Sequence, residues 1–234
     1  MFSFKQFNIQ QDKTAMKVGT DGVLLGAWTP LDNNPYSILD IGAGTGLIAL
    51  MLAQRSNAEQ IDALEIDDDA YEQAVDNFEN SPWGDRLFCY HAGLDEFMEE
   101  PEDEYDLIIS NPPFYTEDYT SGNEQRDTAR FAASLPFEDL AEAAGLLLSE
   151  KGVFAIILPY KEETSFIALM KDEGLLPFKI TRVKGTPTSD IKRSLMAFSY
   201  TESDIEINEL VIETTRHEYT TEYVALTKDF YLKM

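Results

Sequence analysis

The sequence predicts an α/β fold, a doubly wound and mostly parallel sheet of seven strands with an antiparallel edge strand. Three observations predict it. Short apolar runs alternate with helix-period segments from Ile38 to Asp172, the pattern of repeated strand–helix–strand units. One run passes through Leu39-Asp40-Ile41 into Gly42-Ala43-Gly44-Thr45-Gly46, glycines that let a strand turn sharply into a helix. Another run, 105–110, stops at Asn111-Pro112-Pro113-Phe114, where two prolines end any ladder.

Taken in order, strands are expected at 38–41, 61–66, 87–91, 105–110 and 153–158, with helices at 47–55, 69–80, 137–149 and 162–172 between them. The later runs 178–183 and 195–200 are close together, so they are expected to form an antiparallel edge pair around the turn Gly185-Thr186-Pro187-Thr188-Ser189. The polar segment 115–134 is long for a connection and is expected to act as a lid or substrate loop. At 234 residues, with no linker or repeat, the chain is expected to form one domain, 1–234, with a short N-terminal extension.

Composition narrows the function. Cys89 is the only cysteine, and His91 and His217 lack metal-ligand spacing, so neither a disulfide framework nor a metal site is expected. The opening Met1-Phe2-Ser3-Phe4-Lys5 has no signal-peptide pattern, and the longest uncharged apolar stretch, 41–53, is too short to span a bilayer. A cytoplasmic protein is expected. A net charge of −25 disfavours a protein that coats itself with nucleic acid. One segment departs from that balance. Between 179 and 193 stand Lys179, Arg182, Lys184, Lys192 and Arg193 against the single acid Asp190, a local excess of four positive charges. Lys5, Lys13 and Lys17 near the start, and Arg126 and Arg130 after the proline turn, are further candidates for phosphate contact.

The glycine motif carries a ligand preference. A dinucleotide fingerprint would want its third glycine where Leu47 stands, and would place a pyrophosphate at the helix N-terminus. Here Asp40 precedes a compact Gly-x-Gly-x-Gly. Its carboxylate repels a pyrophosphate and suits the ammonium group of an amino-acid moiety. Nineteen residues beyond Gly46, Glu65 ends the second strand, placed to accept both hydroxyls of a ribose. At Asn111-Pro112-Pro113-Phe114, a side-chain amide and free carbonyls lie beside an aromatic face, a set suited to a planar amine on a ring. Glycine turn, ribose acid and proline turn together point to S-adenosyl-L-methionine.

These residues resemble the class I S-adenosylmethionine-dependent methyltransferases, which have a Rossmann-like fold, and Asn111 to Phe114 resembles the signature of those that methylate exocyclic or amide nitrogens. The stretches Phe4-Lys5-Gln6-Phe7, 15–28, Ser81-Pro82-Trp83 and 225–232 narrow the likeness, over essentially the whole chain, to the bacterial tRNA adenine-N6 methyltransferases. The resemblance implies tRNA as partner and, as target, the N6 of adenine 37 in the anticodon loop of tRNA1(Val). It implies that Asp40, Gly42, Gly44 and Gly46 line the methionine end of the cofactor, that Glu65 holds the ribose with Ile66 beside it, and that Thr20 and Asp21 close over it. Asn111, Pro112 and Phe114 would be the catalytic set, Asn111 also bordering the cofactor. Lys5, Arg126, Arg130, Arg182, Lys184, Lys192 and Arg193 would meet RNA. One departure stands out: Leu94 occupies the position where the family usually has an acid for the cofactor adenine, leaving Asp95 or a backbone group to serve.

Alternatives remain at this stage. A ribosomal guanine-N2 methyltransferase and a protein-glutamine N5 methyltransferase use the same kind of turn. A catalytically silent S-adenosylmethionine-binding RNA module would share the cofactor motifs. A NAD-dependent oxidoreductase is disfavoured by Leu47 and by the lack of a proton-transfer residue near the motifs.

Overall fold

The computed structural model describes residues 1–14, 16–99, 104–113 and 135–234. Phe114, Arg126, Arg130 and the segment 115–134 lie outside the described residues.

The chain builds its sheet outward from β3 (Ser37–Ile41), whose five residues are all buried. β3 is flanked by β4 (Gln60–Glu65) and β6 (Tyr105–Ser110), both parallel to it. β5 (Leu87–His91) extends one side, and β7 (Leu148–Pro159), β9 (Ile191–Ser199), β8 (Leu176–Lys184) and β10 (Glu206–Val211) extend the other. A two-stranded pair, β1 (Phe2–Ser3) with β2 (Asn8–Ile9), and another, β11 (Glu213–Thr215) with β12 (Glu218–Tyr219), stand apart from this sheet.

Helices cover both faces, as continuous apolar strands require. One core holds side chains of α1 (Thr20–Trp28), α2 (Leu47–Arg55), α3 (Asp68–Glu79) and α7 (Thr221–Thr227). The other holds those of α4 (Leu94–Glu99), α5 (Phe137–Leu147) and α6 (Glu163–Asp172). The doubly wound α/β class expected from the sequence is therefore present.

Two details differ from expectation. The main sheet has eight strands, not seven, because β10 pairs parallel with β8 at the edge. In β10 only Leu210 is buried, while Glu206, Ile207, Asn208 and Glu209 are exposed, so its sequence carries little apolar signal. The antiparallel strand is β9, and it lies inside the sheet between β7 and β8 rather than at the edge. The chain passes β7, makes β8 one position farther out, and then returns through the gap.

That reversal matters for the site. Parallel strands β3, β4, β6 and β7 bring their carboxyl ends to one edge of the sheet, and β9 brings its first residues there. The N-terminal extension is bound down. Asn77 of α3 exchanges hydrogen bonds with Gln10, and Gln73 accepts from the Asp12 and Lys13 amides.

Candidate active site

The glycine turn after β3 is held by its neighbour strand. The Gly42 and Ala43 amides donate to the Leu64 carbonyl at 3.0 and 2.9 Å, and the Gly44 amide donates to Glu65 Oε2 at 2.8 Å. Glu65 Oε1 accepts from the Asp67 amide at 2.9 Å, so the carboxylate is fixed at the end of β4 by two backbone donors. Gly44 has φ of +58°, and a Cβ there would meet nothing within 4 Å. Open space beside a left-handed glycine is a cradle for a ligand. Gly46 is glycine for another reason. At φ of +75°, its missing Cβ leaves room for the Phe78 ring, 2.4 Å from where that atom would be.

Asp40 lies directly behind this turn and is fully buried. Its Oδ2 accepts from the Ala49 amide of α2 at 3.1 Å, while Oδ1 is buried with no partner among the described residues. Burial raises the Asp40 carboxyl to about 7; the Ala49 amide opposes the rise, and the nearby Glu65 charge adds to it. The Cys89 thiol is pushed up to about 12, first by burial and then by Glu65 and Asp40. Both shifts come first from burial, which disfavours the charged forms, and a cationic ligand group beside Asp40 would favour its ionised form.

Beyond the end of β4, Ile66 is 53% exposed just past Glu65. Leu94 is packed into the second core, which accounts for the departure noted in the sequence, whereas the Asp95 carboxylate is exposed and turned back over Gly93. His91, at the end of β5, places Nε2 3.1 Å from the Ile66 carbonyl and 3.2 Å from Asp68 Oδ1, with its ring stacked on Tyr71.

Asn111 follows β6, whose last residue, Ser110, donates through Oγ to the Ile41 carbonyl at 2.9 Å. The side-chain nitrogen of Asn111 lies 3.8 Å from the point where a Cβ on Gly22 would stand, and Leu47 is 3.2 Å from that same point. Gly22 therefore lets α1 approach Asn111 and the start of α2 closely. Pro112 is buried beside them.

The same turn of α1 carries Thr20, exposed, and Asp21, whose Oδ2 accepts from Arg193 Nε at 2.7 Å. The remaining cations of the basic segment are largely engaged. Arg182 forms a forked pair with buried Glu163, and Lys184 pairs with Glu209 at 2.8 Å. Lys179 lies over the Trp28 ring. Lys192 is exposed, with no ion pair among the described residues. Lys5 donates to the Lys228 and Met234 carbonyls, so it fastens the C-terminal segment. Lys13 pairs with Glu72 and Asp76.

Comparison with known proteins gives this geometry a family. A model of the methyltransferase small domain matches residues 23–162. A Flavobacterium johnsoniae tRNA1(Val) (adenine(37)-N6)-methyltransferase is 74% identical over 235 residues, covering all of both chains. The chain belongs to this family. A Christiangramia forsetii member is 61% identical over all of this chain and 98% of its own. A crystal structure of a predicted O-methyltransferase from Agrobacterium tumefaciens superposes with a TM-score of 0.68 at 20% identity, covering 90% of this chain and 96% of that one, and it supports the fold. Among the described residues, no helix is long and apolar enough to cross a membrane, and no group of three or more His, Cys, Asp or Glu could hold a metal ion.

Proposed function

We propose that this chain methylates the exocyclic N6 of adenine 37 in the anticodon loop of tRNA1(Val), with S-adenosyl-L-methionine as methyl donor, in the cytoplasm where that tRNA works. The observation that carries this reading is the adjacency of an Asn111-Pro112 acceptor pair to a glycine crevice floored by the buried Asp40, in a chain 74% identical to a relative bearing that name.

The crevice residues fit the cofactor. Open space at Gly44 and the partnerless Asp40 Oδ1 are features a bound group would use. Asp40, Gly42 and Gly44 would hold the amino-acid end, with Gly46 setting the turn. Glu65 would take the ribose, Ile66 and Asp95 would flank the adenine, and Thr20 and Asp21 would border the mouth. The cofactor supplies an electrophilic methyl group on a sulfonium centre.

The chain's own work is orientation. Adenine N6 is a weak nucleophile because its lone pair is delocalised into the ring. The Asn111 side-chain oxygen and the Pro112 carbonyl would accept the two N6 hydrogens and turn the lone pair out of conjugation. As positive charge grows on nitrogen, the same two oxygens stabilise it. Proximity and alignment do the rest, and the proton leaves to solvent. Phe114 would stack on the adenine, which a single-stranded loop releases easily. Lys192 is the hairpin cation most available for a phosphate, and Arg126 and Arg130 remain candidates. Arg182 and Lys184 would first have to exchange a carboxylate for the RNA.

Incubation with S-adenosylmethionine and unmodified tRNA1(Val), followed by nucleoside mass spectrometry, should give N6-methyladenine at position 37. The Asn111→Ala variant should lose on the order of 10²-fold in turnover while keeping cofactor affinity within a few fold. Methyl transfer to guanine N2, or to a protein glutamine instead of tRNA, would overturn the reading.

A further inference from the structure

Asp21 and Arg193 are 172 positions apart in sequence, yet they form one of the shortest ion pairs in the described residues, Nε to Oδ2 at 2.7 Å. The topology explains the meeting. Since β9 runs against β7, Arg193 is registered opposite Pro159 at the carboxyl end of β7, two strands from the end of β6 where Asn111 begins. Asp21 reaches the same edge from the first turn of α1. The next residue along, Gly22, is the one that lies against Asn111 and Leu47.

We infer that Arg193 is a positioning residue, acting through Asp21 to hold the first turn of α1 against Asn111 and so fix the amide that receives the target amine. The inference rests on the reading of Asn111 as the amine acceptor. Three features favour it over phosphate contact. Both partners are only about one-third exposed, 32% and 29%, so the pair is shielded from screening and from exchange. The guanidinium is fixed a second time, Nη1 donating to the Lys192 carbonyl at 3.1 Å. Turning Arg193 to an RNA phosphate would also leave Asp21 half-buried beside the crevice without this cation. A fork with a fixed Nε direction suits this geometry, and a lysine ammonium does not reproduce it.

The experiment compares wild type with Arg193→Ala, Asp21→Asn and the double variant at saturating S-adenosylmethionine. It also makes Arg193→Ala in the Asn111→Ala background. The readouts are kcat, KM for tRNA and the salt dependence of tRNA binding. Arg193→Ala and Asp21→Asn should each lower kcat on the order of tenfold, with the double variant no worse than the poorer single. KM and the salt slope should stay near wild type. In the Asn111→Ala background, Arg193→Ala should cost nothing further, because the amide being positioned is already gone; a general loss of structure would persist there and would overturn the inference. So would an Arg193→Ala salt slope flattened by about one unit beside an Asp21→Asn variant with normal kcat, the signature of a phosphate contact. Failure of the wild-type chain to methylate tRNA would instead strike the functional reading, and this inference with it.

Discussion

The glycine turn and the β8–β9 hairpin both border the crevice, but they are built differently. In the first, backbone amides make the bonds: the Gly44 amide donates to Glu65, and Asp40 accepts from the Ala49 amide. In the second, side-chain cations from one short segment meet carboxylates on three other elements, Arg182 with Glu163, Lys184 with Glu209 and Arg193 with Asp21. A site made from backbone conformation can be read from its glycine and proline motifs. A site made from charge balance cannot, because the opposing charges arrive from elsewhere. The apparent excess of four positive charges between 179 and 193 is mostly neutralised in the fold.

The sharpest test on the glycine side is Gly46→Ala. A Cβ there would both collide with Phe78 and occupy φ of +75°, so unfolding free energy should fall by about 2–5 kcal/mol in a urea titration. A variant as stable as wild type would mean that the turn is less rigidly specified than its motif implies.

Asp40 offers a test of similar size through pH. Its carboxyl titrates near 7 in the folded chain against an ordinary value of 3.8, so the folded state binds the extra proton between those limits. Stability from this group is therefore undiminished below about pH 4, falls as pH rises towards 7, and stays reduced above it, by up to roughly 4 kcal/mol. Asp40→Asn should remove that fall in denaturation curves at pH 5 and pH 8 while weakening cofactor binding. An unchanged pH profile would mean that the Asp40 carboxyl is hydrated rather than dry.

Glu65→Ala should weaken S-adenosylmethionine binding by about 1–3 kcal/mol in calorimetry, since a charged acceptor is lost. Equal affinity would detach the end of β4 from the ribose. The smallest effect separates two lysines of the hairpin. Lys192→Ala should flatten the salt dependence of tRNA binding by about one unit, whereas Lys184→Ala, already paired with Glu209, should leave it near wild type. Equal slopes would blur the contrast between free and engaged cations.

Most of the sheet was legible because its strands are short runs rich in apolar and aromatic residues. The bounds of β5, β6 and α2 coincide with the residues expected from the sequence alone. β10 was not legible, because Glu206, Asn208 and Glu209 break up its apolar residues, and neither was the internal position of β9, which depends on where the chain returns rather than on any local pattern. In the site, Asp40, Gly44, Glu65 and Asn111 come to one edge of the sheet as the strand ends suggested. Gly22 was not singled out, because a glycine in an apolar helical run says nothing of which side chain will lie against it. Of the basic residues, Lys5, expected to meet RNA, donates to the Lys228 and Met234 carbonyls, an engagement no charge count could reveal.

The 172-residue span of the Asp21–Arg193 pair also sets a schedule on the ribosome. Residues 40–65 contain the glycine turn and its glutamate, while Arg193 of β9 is added 128 residues after Glu65, about 6–26 s at ordinary elongation rates. The residues of the glycine turn are thus synthesised well before the Arg193 that pairs with Asp21, and a ribosome-stalled chain ending near residue 170 would lack that pair altogether. The core that packs α1 and α2 also takes Val183, Leu195, Leu210, Tyr223 and Phe230 from the later part of the chain, so the pair and the packing behind it are completed together.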